Sequence, residues 1–377
     1  MKYRMSRTWS SRALAAGCVA ALVGVAGCAS LQQALGISQS LEDEDLEKIE
    51  AELVGESAVC PGGETGLVVR AYVAGEEEAY VSEGIGDGRL GWESLDVEAT
   101  GVELYESGTV TMTADHYEAL ETETRIEVAS NYHDDEPVYV EVPTRFDCEF
   151  VADFSGPQGR DGAHGRSGSS GSNGNNEDSS GPDAAPGGRG GDGQDGGNGG
   201  HGEHGGDGHD VVAEVTLLEE ADEPLLEVYA ESRTSDATSV QLVDPEGGEI
   251  TISARGGRGG HGGAGGSGGR GGSGGSGNPP GDGGHGGHGG DGGDGADGGD
   301  GGSVTVYIDP DAEPYVDAVA ADTSGGSGGN RGAAGHGGSG GSADAGANSG
   351  NGGNAGRPGS RSGTDGADGP PPEFIVE

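Results

Sequence analysis

Aspartates recur at three-residue spacing in the glycine-rich half of the chain, within triplets such as Gly-Gly-Asp. Carboxylate oxygens are the ligands that Ca²⁺ prefers, and clustered carboxylates can bind it weakly without a dedicated fold. We therefore expect no committed metal site and no resident cofactor, only weak calcium candidates. These candidates are Asp192, Asp195, Asp294 and Asp297.

The same aspartates begin two matches to a calcium-binding nonapeptide repeat, at 190–195 and 292–297. That repeat also requires an apolar residue two positions after its second aspartate, where this chain has Gly197 and Gly299. A β-roll built from these sequences would lack its core, so this fold is not expected.

Histidines cluster in the same regions, at 201, 204 and 209 and again at 285 and 288. Imidazoles bind zinc, copper and nickel. On a three-fold extended helix, however, residues three apart share one edge at a distance of about 9 Å. Because that distance is too long for one ion, we interpret these histidines as ordinary polar residues.

No sequence signature of an enzyme is recognisable in the chain. It contains no nucleophile elbow, Walker loop, zinc-protease helix or dinucleotide fingerprint. The stretch 84–88 is rich in glycine, but it lies between short predicted strands and no helix pattern follows it. We predict that the protein is not an enzyme, with a hydrolase of unrecognised site as the alternative.

The first 27 residues have the pattern of a secretory signal. Four of the first twelve residues are basic, and the apolar run 13–27 is too short to span a membrane. The run ends in Val25-Ala26-Gly27-Cys28, which resembles a lipobox, the cleavage motif of bacterial lipoproteins. The resemblance implies a lipid on Cys28 and membrane attachment. Ala29 after the cysteine favours an outer membrane of the cell envelope by family analogy.

The chain is strongly acidic. Its formal net charge is −47, and loss of residues 1–27 would take it to −51 with Lys48 as the last lysine. A surface of this sign repels nucleic acid and anionic headgroups, so neither is expected as a partner. Solubility in a salty or crowded exterior explains the charge without any ligand.

Two cysteines remain beyond the anchor, Cys60 and Cys148. In an oxidising compartment a lone pair of cysteines predicts one disulfide. A two-cysteine metal site is the alternative, but no histidine lies nearby at ligand spacing.

The N-terminal half predicts a short tether and then an all-β domain. In the acidic tether, 28–56, we expect a short helix capped by Ser40, because Leu46, Ile49 and Leu53 recur on one face. Residues 57–155 predict an immunoglobulin-like β-sandwich, with Trp92 either in its core, which we favour, or at a ligand. Its predicted strands are 66–73, 79–82, 95–100, 109–113, 125–129, 138–142 and 146–154.

The C-terminal half alternates between glycine triplets and short strands. Collagen shares the three-residue period, but its stiffness comes from imino residues that are nearly absent here. The Gly-Gly-X pattern favours polyglycine II helices packed within one monomeric chain; flexible, partly disordered linkers and a collagen trimer are the alternatives. The predicted divisions are 156–210 (collagen-like), 211–255 (β-hairpins), 256–302 (Gly-Gly-X), 303–323 (strands) and 324–377 (glycine-rich).

Taken together, the chain resembles a group of uncharacterised bacterial exported lipoproteins. The shared features are the lipobox, a β domain closing on 146–156, and glycine blocks interleaved with strands. The resemblance implies a membrane-anchored protein with a structural, adhesive or surface-coat role. A calcium- or glycan-binding surface module is the alternative, with a glycan or protein as its partner.

Overall fold

The computed structural model describes residues 38–178, 180, 184–218 and 224–377. Cys28 and the predicted signal therefore lie outside the described residues. The fold is mostly β-sheet, as predicted, and divides into two compact units. Among the described residues, no helix has the length and apolar character needed to cross a membrane.

The first unit comprises the described residues up to Cys148 together with Gln241–Gly248. One antiparallel sheet has the order β1-β2-β6-β5, with β3 also on β2, and a second has the order β4-β7-β8. The elements are β1 (Leu46–Val54), β2 (Glu64–Val73), β3 (Tyr80–Val81), β4 (Leu95–Thr100), β5 (Val102–Leu104), β6 (Thr109–Met112), α1 (His116–Glu121), β7 (Arg125–Ser130) and β8 (Val138–Glu141).

Both sheets of the first unit contribute to one buried cluster. Leu67 and Val69 of β2 belong to it, as do Ile126 and Val128 of β7. In β7, Ile126 and Val128 alternate with exposed or half-buried neighbours, which is the period of two that the sequence predicts. Trp92 belongs to the same cluster, as favoured above.

The helix predicted in the tether is wrong, because Leu46–Val54 forms strand β1. This strand pairs antiparallel with β2 over its whole length. A register shift between Leu46 and Lys48 explains the misleading spacing. Since a bulge adds one residue, Leu46 packs against the same core as Ile49, and the apolar positions then mimic a helical period.

The second unit comprises the described residues of 149–240 and 249–377. One sheet is parallel, in the order β15-β13-β9, and the other has the order β12-β11-β10-β14-β16. In the latter, β10 pairs antiparallel with β11, whereas β10, β14 and β16 run parallel. The strands are β9 (Glu149–Asp153), β10 (Val211–Leu218), β11 (Leu225–Ser232), β12 (Thr238–Val243), β13 (Glu249–Ser253), β14 (Val304–Ile308), β15 (Val319–Asp322) and β16 (Glu373–Val376).

Three elements of the second half differ from the sequence prediction. The first predicted hairpin of 211–255 is present as β10 and β11, but β12 and β13 lie in different sheets, so the second hairpin is wrong. The last predicted strand of the sandwich becomes β9 of the second unit, because it pairs with β13. Within 303–323, where strands are expected, a 3₁₀ turn, Glu313–Ala318, leads into β15.

Candidate functional surface

Between its strands, the glycine-rich chain forms six extended segments in the part that the structure describes. Their hydrogen bonds recur every third residue: the Gly156 amide donates to the Arg255 carbonyl, and the Gly159 amide to the Arg258 carbonyl, both at 2.8 Å. Backbone hydrogen bonds therefore join these segments to one another at regular intervals. They are segment 1 (156–177), segment 2 (187–210), segment 3 (255–277), segment 4 (281–302), segment 5 (324–342) and segment 6 (348–369).

The segments pack in two layers, an odd layer of segments 1, 3 and 5 and an even layer of segments 2, 4 and 6. Within a layer, neighbouring segments run parallel, as shown by the residue numbers of the hydrogen-bond donors and acceptors, which rise together. Between layers they run antiparallel: the amides of residues 188, 191 and 194 donate to the carbonyls of residues 175, 172 and 169.

Each layer continues the parallel strands of one sheet, and those strands set its register. In the odd layer, β9 and β13 pair with Glu149 opposite Glu249, an offset of one hundred residues. The same offset joins Asp161 of segment 1 to His261 of segment 3. In the even layer, the offset of 93 between Asp192 and His285 is that of Val211 and Val304 in β10 and β14.

The segments pack against their neighbours through glycine backbone. A Cβ atom on Gly284 would overlap the Gly191 carbonyl, and one on Gly287 would overlap the Gln194 carbonyl. Gly284 and Gly287 are buried, whereas His285 and His288 beside them are exposed. Two glycines per triplet are therefore needed where a segment meets neighbours on two sides, and the third residue carries the exposed side chain.

The third-position side chains accept hydrogen bonds from the backbone of the next segment in the same layer. Asp161 Oδ1 lies 2.7 Å from the His261 amide nitrogen, and His201 Nδ1 lies 2.9 Å from that of Asp294. Asparagine does the same, since Asn198 Oδ1 accepts from the Asp291 amide at 2.8 Å. The sequence did not predict this role: the histidines were interpreted as ordinary polar residues and four of the aspartates as weak calcium candidates. The pattern that could have predicted this role is the recurrence of Asp, Asn, His and Ser at the third position of the triplets. Each of these side chains has an acceptor atom bonded to Cγ or to Cβ.

The four calcium candidates all lie on the outer face of the even layer, hereafter the even face. Asp192 and Asp195 of segment 2 accept from the amides of segment 4, at 2.7 and 2.6 Å. Asp294 and Asp297 of segment 4 accept from residues of segment 6. Among the described residues, no three His, Cys, Asp or Glu side chains are grouped so that they could hold a metal ion.

These hydrogen bonds favour the charged form of the carboxylates. The His285 amide holds the pKa of Asp192 below its ordinary value of 3.8. The Ser360 hydroxyl is the main cause of the lowered pKa of Asp294, and the Thr364 amide has the same effect on the pKa of Asp297. Because the carboxylates are already used as backbone acceptors, their charge is part of the packing.

The two outer faces differ in charge. Segment 4 places five aspartates and no basic residue on the even face, at 282, 291, 294, 297 and 300. Segment 3 places three arginines and no acidic residue on the outer face of the odd layer (the odd face), at 255, 258 and 270. Serines, at 267, 273 and 276, dominate the rest of that segment's face.

One extra residue interrupts segment 6. Gly356 and Gly359 donate to segment 5 in strict triplet register, but the next donor is Gly363, four residues on. Asp294 Oδ1 accepts from the amides of both Ser360 and Arg361, the latter at 3.1 Å. The insertion is thus accommodated by one carboxylate that serves two consecutive amides.

Two further features lie in the first unit. The predicted disulfide between Cys60 and Cys148 is present, with their Cα atoms 6.4 Å apart. His116 at the start of α1 is buried, and its Nδ1 lies 3.0 Å from both the backbone nitrogen and oxygen of Leu242. Burial lowers the pKa of His116 below its ordinary value of 6.5. The sequence analysis drew no inference from this histidine.

A scan against protein-family models matches none of them, and searches of the curated proteins and of the solved structures return no match.

Proposed function

We propose that this protein is a bacterial lipoprotein of the cell envelope, attached to the outer membrane by a lipid on Cys28, with a structural, adhesive or surface-coat role. The observation that carries the proposal is the two-layer bundle, in which a glycine core presents third-position side chains at fixed spacing on two faces. Such a scaffold is suited to display and to mechanical stiffness rather than to catalysis. We further propose that the protein is a monomer, is not an enzyme, uses no cofactor and binds no nucleic acid.

The proposed conformation of the segments is polyglycine II within a single chain. It is supported by the three-residue recurrence of the hydrogen bonds and by the overlap that a Cβ atom would cause at Gly284 and Gly287. The strands between segments bring successive segments together at high effective concentration, which a collagen trimer would have to achieve between chains.

The first unit is proposed to be an immunoglobulin-like sandwich. Two antiparallel sheets with a common core support this assignment, and so does the short length of the strands. The Cys60–Cys148 disulfide links the region before β2 to the end of the unit.

The alternative role is a calcium- or glycan-binding surface module, and the five aspartates of segment 4 on the even face favour it. Calorimetry with Ca²⁺ and a glycan array would detect such binding. Saturable calcium binding that is lost in Asp291→Asn, where an amide can keep the backbone bond, would favour this role over the purely structural one.

The anchor and the display role are tested in cells that express the full chain. A palmitate analogue should label the wild type and not Cys28→Ser, and labelled protein should fractionate with the outer membrane. Label that persists in Cys28→Ser would refute the anchor.

Adhesion of those cells should respond to the even face. The variant Asp192→Asn/Asp195→Asn removes charge but keeps side-chain acceptors, as Asn198 shows. Its matched control is Ser267→Ala/Ser327→Ala on the odd face. Equal adhesion of the wild type, both variants and cells without the protein would contradict an adhesive role.

A further inference from the structure

Segment 6 is joined to segment 4 by two imidazoles. His285 Nδ1 lies 3.0 Å from the amide nitrogen of Asn351, and His288 Nδ1 lies 2.9 Å from that of Asn354. For both distances to be hydrogen bonds, each imidazole must be neutral and carry its proton on Nε2, so that Nδ1 can accept.

Further along the same two segments, carboxylates occupy the equivalent positions. Asp291 Oδ1 accepts from the Arg357 amide at 2.7 Å, and Asp297 Oδ1 from the Thr364 amide at 2.8 Å. A carboxylate keeps its acceptor in mild acid. A histidine does not, because a proton on Nδ1 would turn the acceptor into a donor that faces the N–H of segment 6.

We propose that His285 and His288 form a pH-sensitive latch between segments 4 and 6. While neutral, both imidazoles accept from segment 6 and, together with backbone bonds, hold its 351–354 stretch against segment 4. Protonation of Nδ1 breaks both side-chain bonds, and this stretch loosens while the carboxylate-bonded residues on either side of it, Asn348 and Arg357, stay in place. The result is an acid-responsive edge of the even face.

Charged groups lie beside the two imidazoles. Asp192 and Asp195 of segment 2 accept from the backbone amides of His285 and His288, so their charges lie beside the imidazoles. Arg189 pairs with Asp192 at 3.0 Å and offsets one of these charges. Segments 3 and 5 meet this stretch of segment 4 through glycine backbone. The remaining charged third-position residues nearby on segments 4 and 6 are Asp282, Asp291 and Arg357.

The consequence for stability has a definite sign. The hydrogen bonds of the folded state require neutral imidazoles. In an unfolded chain the same imidazoles can take up protons without the loss of these bonds. The two bonds therefore stabilise the folded edge while the imidazoles are neutral, and this contribution is lost on their protonation.

Hydrogen exchange of the intact chain tests the latch. We expect the protection factors of the Asn351 and Asn354 amides, corrected for intrinsic rates, to fall about tenfold between about pH 7.5 and about pH 5. The Thr364 amide, bonded to Asp297, is the internal reference and should keep its protection. Unchanged protection at Asn351 and Asn354 across this range would overturn the proposal.

The matched variant is His285→Asn/His288→Asn. Asparagine at the equivalent position, Asn198, accepts from the same kind of amide, so the variant should be protected at neutral pH and should lose the pH dependence. A pH-dependent loss equal to that of the wild type would show that other groups are responsible. Nitrogen NMR of the wild-type imidazoles supplies a second test that needs no variant: the neutral Nε2–H form is expected at about pH 7.5, and the Nδ1–H form would refute the latch.

Discussion

Asp161 accepts a hydrogen bond from the backbone amide of His261, at 2.7 Å, across exactly the hundred-residue offset at which Glu149 pairs with Glu249 in the neighbouring sheet. The offset recurs at Asn173 and Ser273 near the far end of segments 1 and 3. One register thus runs from the strands through the whole length of the odd layer. Third-position side chains such as Asp161 and Asn173 fit that register, because each accepts a hydrogen bond from one specific backbone amide.

This relationship predicts that acceptor geometry at residue 161 matters more than charge. Asp161→Ala should lower the thermal midpoint by a few degrees, because the His261 amide loses its partner. Asp161→Asn should restore most of the loss, since its amide oxygen can accept in the same place. The thermal midpoints of both variants are measured by circular dichroism at neutral pH. An equal fall of the midpoint in both variants would contradict the acceptor role.

The glycine core predicts a sharp dependence on which glycine is replaced. Gly284→Ala/Gly287→Ala should be strongly destabilising, because each Cβ overlaps a neighbouring carbonyl and overpacking costs about 1–3 kcal/mol per site. The control is Gly352→Ala in segment 6, where the nearest atom, the Gly338 oxygen, lies 3.5 Å away. Comparable thermal midpoints for the double variant and the control would disprove backbone packing.

The disulfide predicts a stability difference confined to the first unit. It closes a separation of 88 residues, and removal of a native disulfide typically costs about 2–5 kcal/mol. Cys60→Ser/Cys148→Ser should shift the urea midpoint of this unit downward and make it insensitive to reductant. A wild-type chain whose midpoint does not change on reduction would argue against the bond.

His116 predicts an acid-sensitive first unit. Because burial lowers its pKa below 6.5, its neutral form stabilises the fold fully above that value, and the contribution is lost as the pH falls through the lower folded pKa. Urea unfolding can be followed by Trp92 fluorescence in a chain carrying Trp9→Phe. We expect stability to decline below about pH 6.5 in the wild type and to decline less in His116→Asn. Parallel pH profiles for the two would rule out His116 as the cause.

Much of this architecture was predictable from local pattern. Period two identified strands such as β7, and the period of three identified the glycine segments. Two cysteines in a chain that is expected to be exported sufficed to predict the disulfide. These patterns depend only on residues that are close in sequence, so they can be recognised without knowledge of the fold.

The remainder depends on contacts between distant residues. The pairing of β9 with β13 carries no local mark, so the unit boundary and the second hairpin of 211–255 were misplaced. The bulge after Leu46 imitated a helical period. The acceptor role of third-position aspartates and histidines became visible only when an amide roughly one hundred residues away was placed beside each of them.

The four-residue step at Ser360–Arg361 bears on how such a chain can change length during evolution. A single inserted residue turns every later side chain by a third of a revolution, and in an inner segment this would drive side chains into backbone on two sides. Among the described residues, segment 6 bonds within the even layer only to segment 4, so the misfit there meets only segments 4 and 5. Inner segments can therefore change length only by whole triplets, whereas a segment at the edge of a layer, such as segment 6, can accept a single inserted residue.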